Sequence, residues 1–294
     1  MSDDPFVAHR SLLFTVAYEM LGSAADAEDV VQETWLRWAA RDERSDPDPV
    51  RDPRAYLVRI VTRQSLNRLR TLARRREDYV GEWLPEPLLT APDVADDVEL
   101  AESVSIAMLT VLETLGPTER AVFVLREVFD TPYDEIATAV ERTPAAVRQI
   151  AHRAREHVAA RRPRQDVDRA EQEAAVEQFL AAVRTGDLQG LLDVLAPEVV
   201  LRSDGGGVVT ALPRPVTGAE KVARMLAMIV SSVPTARFAP ARLNGGPAVL
   251  VDIDGEPTAV SMVVEDGRIS RLYSIRNPHK LTRLDVEAEL SRRG

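Results

Sequence analysis

Apolar residues recur at intervals of three and four through the first 76 positions, the period of helices with one buried side. Leu12, Leu13, Val16, Met20 and Leu21 form one such stripe, and Gly22 stops it. Ser23 is placed to cap a second helix, in which Ala27, Val30, Val31, Trp35 and Trp38 make the apolar stripe. Asp26, Glu28, Asp29, Gln32 and Glu33 occupy its other faces. The run Asp46-Pro47-Asp48-Pro49 predicts a loop. Asp52-Pro53 then supplies a cap and a first-turn proline for a helix over 53–76, with Leu57, Ile60, Val61, Leu66, Leu69 and Leu72 inward. Arg63, Asn67, Arg70 and Arg74 fall at i, i+4, i+7 and i+11, which puts them on one outer face. Residues 4–76 therefore read as one all-helical unit.

Helical spacing fails over 77–97. Trp83, Leu84, Pro85, Glu86, Pro87 and Leu88 carry two prolines two residues apart, which forbids a regular helix. An extended acidic linker is expected, and its tryptophan and leucines predict that it docks rather than floats. Helices return over 98–162. Gly116-Pro117 separates a helix ending near Leu115 from one over 118–128. Thr131-Pro132 opens a short helix through Ile136, Ala137 and Val140, and Thr143-Pro144 opens another with Val147, Ile150, Ala151 and Ala154 inward. Two short helices separated by three residues make a helix-turn-helix. The second presents Arg148, His152 and Arg155 outward, flanked by Gln149 and Arg153, side chains suited to guanine edges and phosphates.

From 166 to 281 the pattern changes to helices followed by strands. Ala175, Val176, Phe179, Leu180 and Val183 line a helix that Gly186 ends, and a second runs over 188–195. Strand-like runs cover 198–202, 208–212, 237–243, 248–253, 258–265 and 269–276, interrupted by a helix over 219–233. Asp254-Gly255 and Asp266-Gly267 are hairpin turns. This is an α+β plan able to enclose a pocket. Residues 282–294 form a tail.

Composition sharpens the picture at two points. The 294 residues include no cysteine and four histidines without metal-ligand spacing, so disulfide, thiolate and metal chemistry find no candidates, and no catalytic residue or cofactor is expected. The acidic start and the lack of a long apolar run predict a soluble, cytoplasmic protein without a membrane partner. The net charge of −10 hides alternating blocks. Residues 53–76 hold eight arginines and no acid, residues 77–116 ten acids and no base, and residues 142–164 seven arginines against one acid. A charged partner feels such blocks rather than their average. The two basic blocks coincide with the arginine face of 53–76 and the helix-turn-helix.

These residues resemble a known family. Asp26-Ala27-Glu28-Asp29-Val30-Val31-Gln32-Glu33-Thr34-Trp35-Leu36 looks like region 2 of an extracytoplasmic-function (ECF) RNA polymerase sigma factor. The helix-turn-helix with Tyr133-Asp134-Glu135-Ile136-Ala137 and Val147-Arg148-Gln149-Ile150-Ala151 resembles region 4, and the last unit resembles the SnoaL-like branch of the NTF2-like cone. Three further motifs resemble the ECF41, or SigJ-like, group that carries this extension. They are the linker run 83–88, Asp204-Gly205-Gly206-Gly207, and Asn277-Pro278-His279-Lys280-Leu281. Val208 stands where that group usually has lysine.

The resemblance implies a multidomain protein of two all-α sigma domains and an α+β SnoaL-like domain, divided as 4–76, 77–97, 98–162, 166–281 and a tail. It implies that Asp26, Glu28, Asp29, Gln32, Glu33 and Trp35 dock on the β′ clamp helices of the RNA polymerase core. Arg63, Asn67, Arg70 and Arg74 would meet the −10 promoter element, with a flipped base held by the loop 42–51. Arg148, Gln149, His152, Arg153 and Arg155 would read the −35 element. The three motifs would join the C-terminal domain to the rest and regulate it, with a small-molecule ligand of that domain possible. Trp38 and Tyr56 are expected in the core. Asp204 is a turn residue on its glycines, and a general base only if buried. Two other functions stay open on the residues: a ligand-sensing DNA-binding regulator that needs no polymerase, and a bifunctional chain with a small-molecule enzyme domain.

Overall fold

Helix α1 (Pro5–Leu21) begins where Asp4 accepts from the Phe6 amide at 2.9 Å, and it ends at Gly22, whose φ of 67° makes the left-handed cap. Its residues from Leu12 to Leu21 are buried on every side, Glu19 among them. Around it pack α2 (Ala24–Ala39) and α3 (Pro53–Glu77). Both expected caps form: Ser23 Oγ accepts from the Asp26 amide at 3.2 Å and Asp52 Oδ1 from the Ala55 amide at 2.9 Å. The computed structural model describes residues 4–41, 50–77, 79–91, 97–162 and 169–292, the side chains of 73–77 excepted.

Further along come α4 (Val98–Val104), α5 (Ile106–Leu112), α6 (Pro117–Phe123), α7 (Tyr133–Val140) and α8 (Pro144–Ala159). The helix expected over 118–128 is not uniform, because Val124–Val128 forms a π-helical turn. The wider turn lets Val124, Leu125 and Val128 all bury. Helix α8 is capped by Thr143 Oγ1, which accepts from Ala146 N at 3.2 Å, and it buries Val147, Ala151, Ala154 and Val158.

The chain divides into two compact units. One comprises Met1–Glu77, Leu109–Arg162 and Glu289–Gly294, the other Asp78–Met108 and Pro163–Ala288. In the second, α9 (Arg169–Thr185) and α10 (Leu188–Val194) precede a six-stranded sheet. Its strands are β1 (Leu195–Asp204), β2 (Val216–Thr217), β3 (Arg237–Leu243), β4 (Gly246–Ile253), β5 (Glu256–Glu265) and β6 (Arg268–Ile275), with α11 (Ala219–Ser232) between β2 and β3. The spatial order is β2-β1-β6-β5-β4-β3, with β1 and β6 parallel.

Each face of the sheet buries its own apolar set. Val249, Met262, Val264 and Leu272 meet α9, α10 and α11, where Phe179, Leu191, Val194 and Val222 fill the interior. Ala248, Ala259, Val263, Tyr273 and Ile275 face the other way, onto Leu84 of the linker, Ile106, Ala107 and Leu281. The strand expected at 208–212 does not form. A Cβ at Gly205 would lie 2.3 Å from Val209 O, and Gly206 and Gly207 take φ of 63° and 72°. The chain therefore reverses there, with the Val208 and Val209 amides donating to Gly205 O, and the short β2 pairs with β1 instead. Among the described residues no helix is long and apolar enough to cross a membrane.

Candidate functional site

Three side-chain assemblies gather nearly every residue singled out in the sequence. The first is the outer surface of α8, where Arg148, Gln149, His152, Arg153 and Arg155 are all exposed. Arg148 is braced with its guanidinium 5.7 Å from the Tyr133 ring, while Arg155 Nε lies 3.7 Å from Glu127 and His152 Nε2 3.6 Å from Glu156. On α3, Arg63, Asn67 and Arg70 share one exposed face, and Arg70 Nη1 donates to Asn67 Oδ1 at 3.3 Å. The side chain of Arg74 and loop residues 42–49 lie outside the described residues.

The second assembly is α2. Its buried positions are Ala27, Val30, Val31 and Thr34, spaced i, i+3, i+4 and i+7. Trp35 follows one residue later, a rotation of about 100°, and so leaves the stripe assigned to it. It is 44% exposed and its neighbour Leu36 53%. The carboxylates around them are held within the unit. Arg68 reaches Asp26 at 2.5 Å and Asp29 at 3.1 Å, Arg10 pairs with Glu28 at 2.8 Å, and Gln64 Nε2 donates to Glu33 at 2.8 Å. Gln32 is exposed beside them. Trp38 and Tyr56, expected in the core, are half-buried instead. Trp38 Nε1 is tied to Asp4 at 3.0 Å, and the Arg41 guanidinium lies 5.5 Å from both rings, which keeps their edges near solvent.

The third assembly lies in the second unit and brings the three short motifs to one carboxylate. Asp204, at the end of β1, is 0% exposed. Its Oδ1 accepts from Tyr79 OH at 2.6 Å and Gly206 N at 3.0 Å, its Oδ2 from Leu84 N at 2.9 Å and Lys280 Nζ at 2.7 Å. Four donors fill the acceptor positions of one carboxylate. Lys280 Nζ also donates to Leu84 O and lies 4.0 Å from the Trp83 ring centroid, so the ammonium is met by charge, carbonyl and π-face together. Asn277 closes the ring. Its Nδ2 donates to Tyr79 OH at 2.9 Å, its Oδ1 accepts from His279 N at 3.1 Å, and its own amide donates to Asp204 O at 3.0 Å. Gly206 lies under Asn277, where a Cβ would come within 2.3 Å of Nδ2, and Gly207 lies under Val80. Pro85, Glu86, Pro87 and Leu88 are buried, Pro278 and His279 exposed, and Leu281 joins the sheet core. Val208 is 57% exposed, and the cation paired with Asp204 is Lys280.

Two residues outside the three motifs complete the assembly, Tyr79 and Asn244. Tyr79 precedes the linker motif and carries no local signal. Asn244 is 0% exposed; its Oδ1 accepts from Leu88 N at 2.9 Å and its Nδ2 donates to Val104 O at 2.8 Å, clipping linker and α4 to the β3–β4 turn. The Asn244-Gly245 dipeptide between two strand-like runs was the available signal. Thr90 N and Asn244 N pair with Arg242 O and Leu88 O, so the linker runs as a short extra strand beside β3.

Burial and then the hydrogen bond and charge of Asp204 hold the Tyr79 phenol well above its ordinary value of 10. The folded chain keeps a proton that the unfolded chain releases near pH 10, so this contribution is complete below about pH 10 and is lost as pH rises further. Urea unfolding from about pH 8 to 12 should show this contribution to the second unit level up to about pH 10 and lost above it, with a shallower fall above pH 10 in Tyr79→Phe.

Comparison with known proteins gives consistent matches along the chain. Residues 6–75 match the family model Sigma-70 region 2, residues 105–158 Sigma-70 region 4, and residues 176–272 the SnoaL-like domain. The ECF RNA polymerase sigma factor SigJ of Mycobacterium tuberculosis is 38% identical, over 96% of this chain and 94% of that protein. Sigma factor SigG of the same organism is 32% identical over 65% of this chain and 58% of its own length. The crystal structure of Mycobacterium tuberculosis SigJ superposes with a TM-score of 0.76 at 35% identity, covering 94% of this chain and 97% of that one.

Proposed function

The chain belongs to the ECF RNA polymerase sigma factors, with a SnoaL-like domain fused at its C-terminus, and from that premise we propose how its residues direct polymerase to promoters. Helix α8 enters the major groove of the −35 element with Arg148, Gln149, His152, Arg153 and Arg155. The α3 face with Arg63, Asn67, Arg70 and Arg74 tracks the −10 element. Gln32, Trp35 and the acids beside them dock on the clamp helices of the core enzyme's β′ subunit. The protein works in the cytoplasm, where polymerase and promoter meet.

The SnoaL-like domain acts as the fused regulator of this activity. The observation that carries this reading is the Asp204 assembly, which seats the linker between the two sigma regions on the outer face of the sheet. A linker so held has Leu84 at 0% and Leu88 at 2% exposure, and it must be released before the two regions can spread along a promoter. Asp204 is fully engaged as an acceptor and is given no role as a base.

The test is reconstitution of the full-length protein with core polymerase on a library of random-sequence templates. Transcripts should start at a fixed distance downstream of two enriched elements. Their absence overturns the assignment of these faces, as would tight site-specific binding by the protein without polymerase.

A further inference from the structure

The first unit packs its expected DNA-reading helix against the helix-turn-helix half. Arg63 Nη2 donates to Thr138 O at 3.2 Å and lies 3.3 Å from Glu141, both at the end of α7. Deeper in, Arg120 of α6 is 2% exposed. Its Nε donates to Glu19 O of α1 at 3.0 Å and its Nη1 meets the Glu113 carboxylate. Burial lowers its guanidinium to about 9, against the pull of Glu19.

The end of the chain crosses the same junction. Ser291 N donates to Thr15 Oγ1 of α1 at 2.9 Å, and Arg292 Nε donates to Val128 O at the end of the π-helical turn at 3.0 Å. Two consecutive residues thus grip the region 2 half and the region 4 half. Thr15 is 0% exposed and its hydroxyl also donates to Ser11 O at 2.8 Å, so the seat is a built one. We propose that residues 289–292 are a strap that holds regions 2 and 4 closed on each other and keeps Arg63 from promoter DNA. The proposal rests on the reading that the α3 face meets the −10 element. Ala288, the residue before the strap, donates its amide to Leu89 O of the linker at 2.8 Å.

Two such hydrogen bonds bias a closed–open balance by on the order of tenfold. The chain has no cysteine, so Arg37→Cys on α2 and Glu135→Cys on α7, both exposed, accept a pair of distance labels in the full chain. The label distances are compared in the full-length protein, in a chain ending after Leu290, and in Arg292→Ala. The full-length protein should give one short distance, and the two variants should add a longer population, the shortened chain binding core polymerase about tenfold and Arg292→Ala about threefold more tightly. Identical distance distributions in all three overturn the strap. Opened variants that bind core polymerase no better than the full-length protein overturn its inhibitory role. If the variants open and no form binds polymerase at all, the strap stands and the sigma reading of α2 and α3 fails. Arg292→Ala keeps the test independent of any misfolding caused by the deletion.

Discussion

Replacing Asp204 with alanine should unfasten the linker and cost the second unit about 3–5 kcal/mol, the range for removing one partner of a buried ion pair. The carboxylate is wholly buried, and its loss takes the counter-ion from Lys280, whose side chain is only 11% exposed, and the acceptor from the Leu84 amide and the Tyr79 hydroxyl. Asp204→Asn should behave almost as badly. It preserves the volume, but it offers one acceptor oxygen and points an NH2 group at donors. Urea unfolding checks the stability, and hydrogen exchange checks the location. The Leu84 and Leu88 amides, which donate to Asp204 and Asn244, should lose protection by about 100-fold or more, while the sheet amides of β5 keep theirs. In the polymerase assay the same variants should give more transcript at limiting protein, because the resting chain no longer has to release its linker first. A loss below about 1 kcal/mol with unchanged exchange at Leu84 would mean that the buried leucines hold the linker without help.

Local chemistry in the sequence accounts for most of the elements and for the identity of the motifs, but not for what the motifs touch. Ser23, Asp52 and Thr143 cap the helices they precede, and Asp254-Gly255 and Asp266-Gly267 make their hairpins, because each choice is settled within four residues. The linker's docking was readable from its tryptophan and leucines, since apolar side chains on an extended acidic segment need a cover. Its partner was not. Tyr79, Asp204 and Asn277 are 125 and 198 residues apart in their hydrogen-bonded pairs, and no local pattern encodes such a meeting. The strand expected at 208–212 failed because alternation there is overruled by three glycines that turn the chain back on Gly205. Trp35 failed for a different reason. The apolar stripe was drawn through it at i+4 from Val31, while Thr34, at i+4 from Val30, takes the inward place.

That displaced tryptophan sets the second large effect. Trp35→Ala should weaken binding to core polymerase by about 2–4 kcal/mol, roughly 30- to 1,000-fold, and change the stability of the free protein by less than about 0.5 kcal/mol. The carboxylates that surround it are poor candidates for the main source of affinity. Asp26 and Asp29 hold Arg68, Glu28 holds Arg10, and Glu33 holds Gln64, so each would have to exchange an internal partner for an external one. Such exchanges steer and orient but gain little net energy. Trp35 and the adjacent Leu36 have apolar surface in water and nothing to give up, which is the condition for a hot spot at the centre of an interface. Binding measured at two salt concentrations separates the terms. Asp29→Ala should mainly slow association and flatten its salt dependence, whereas Trp35→Ala should mainly speed dissociation at either salt. Equal dissociation rates for Trp35→Ala and the unmodified protein would move the docking surface off this face of α2.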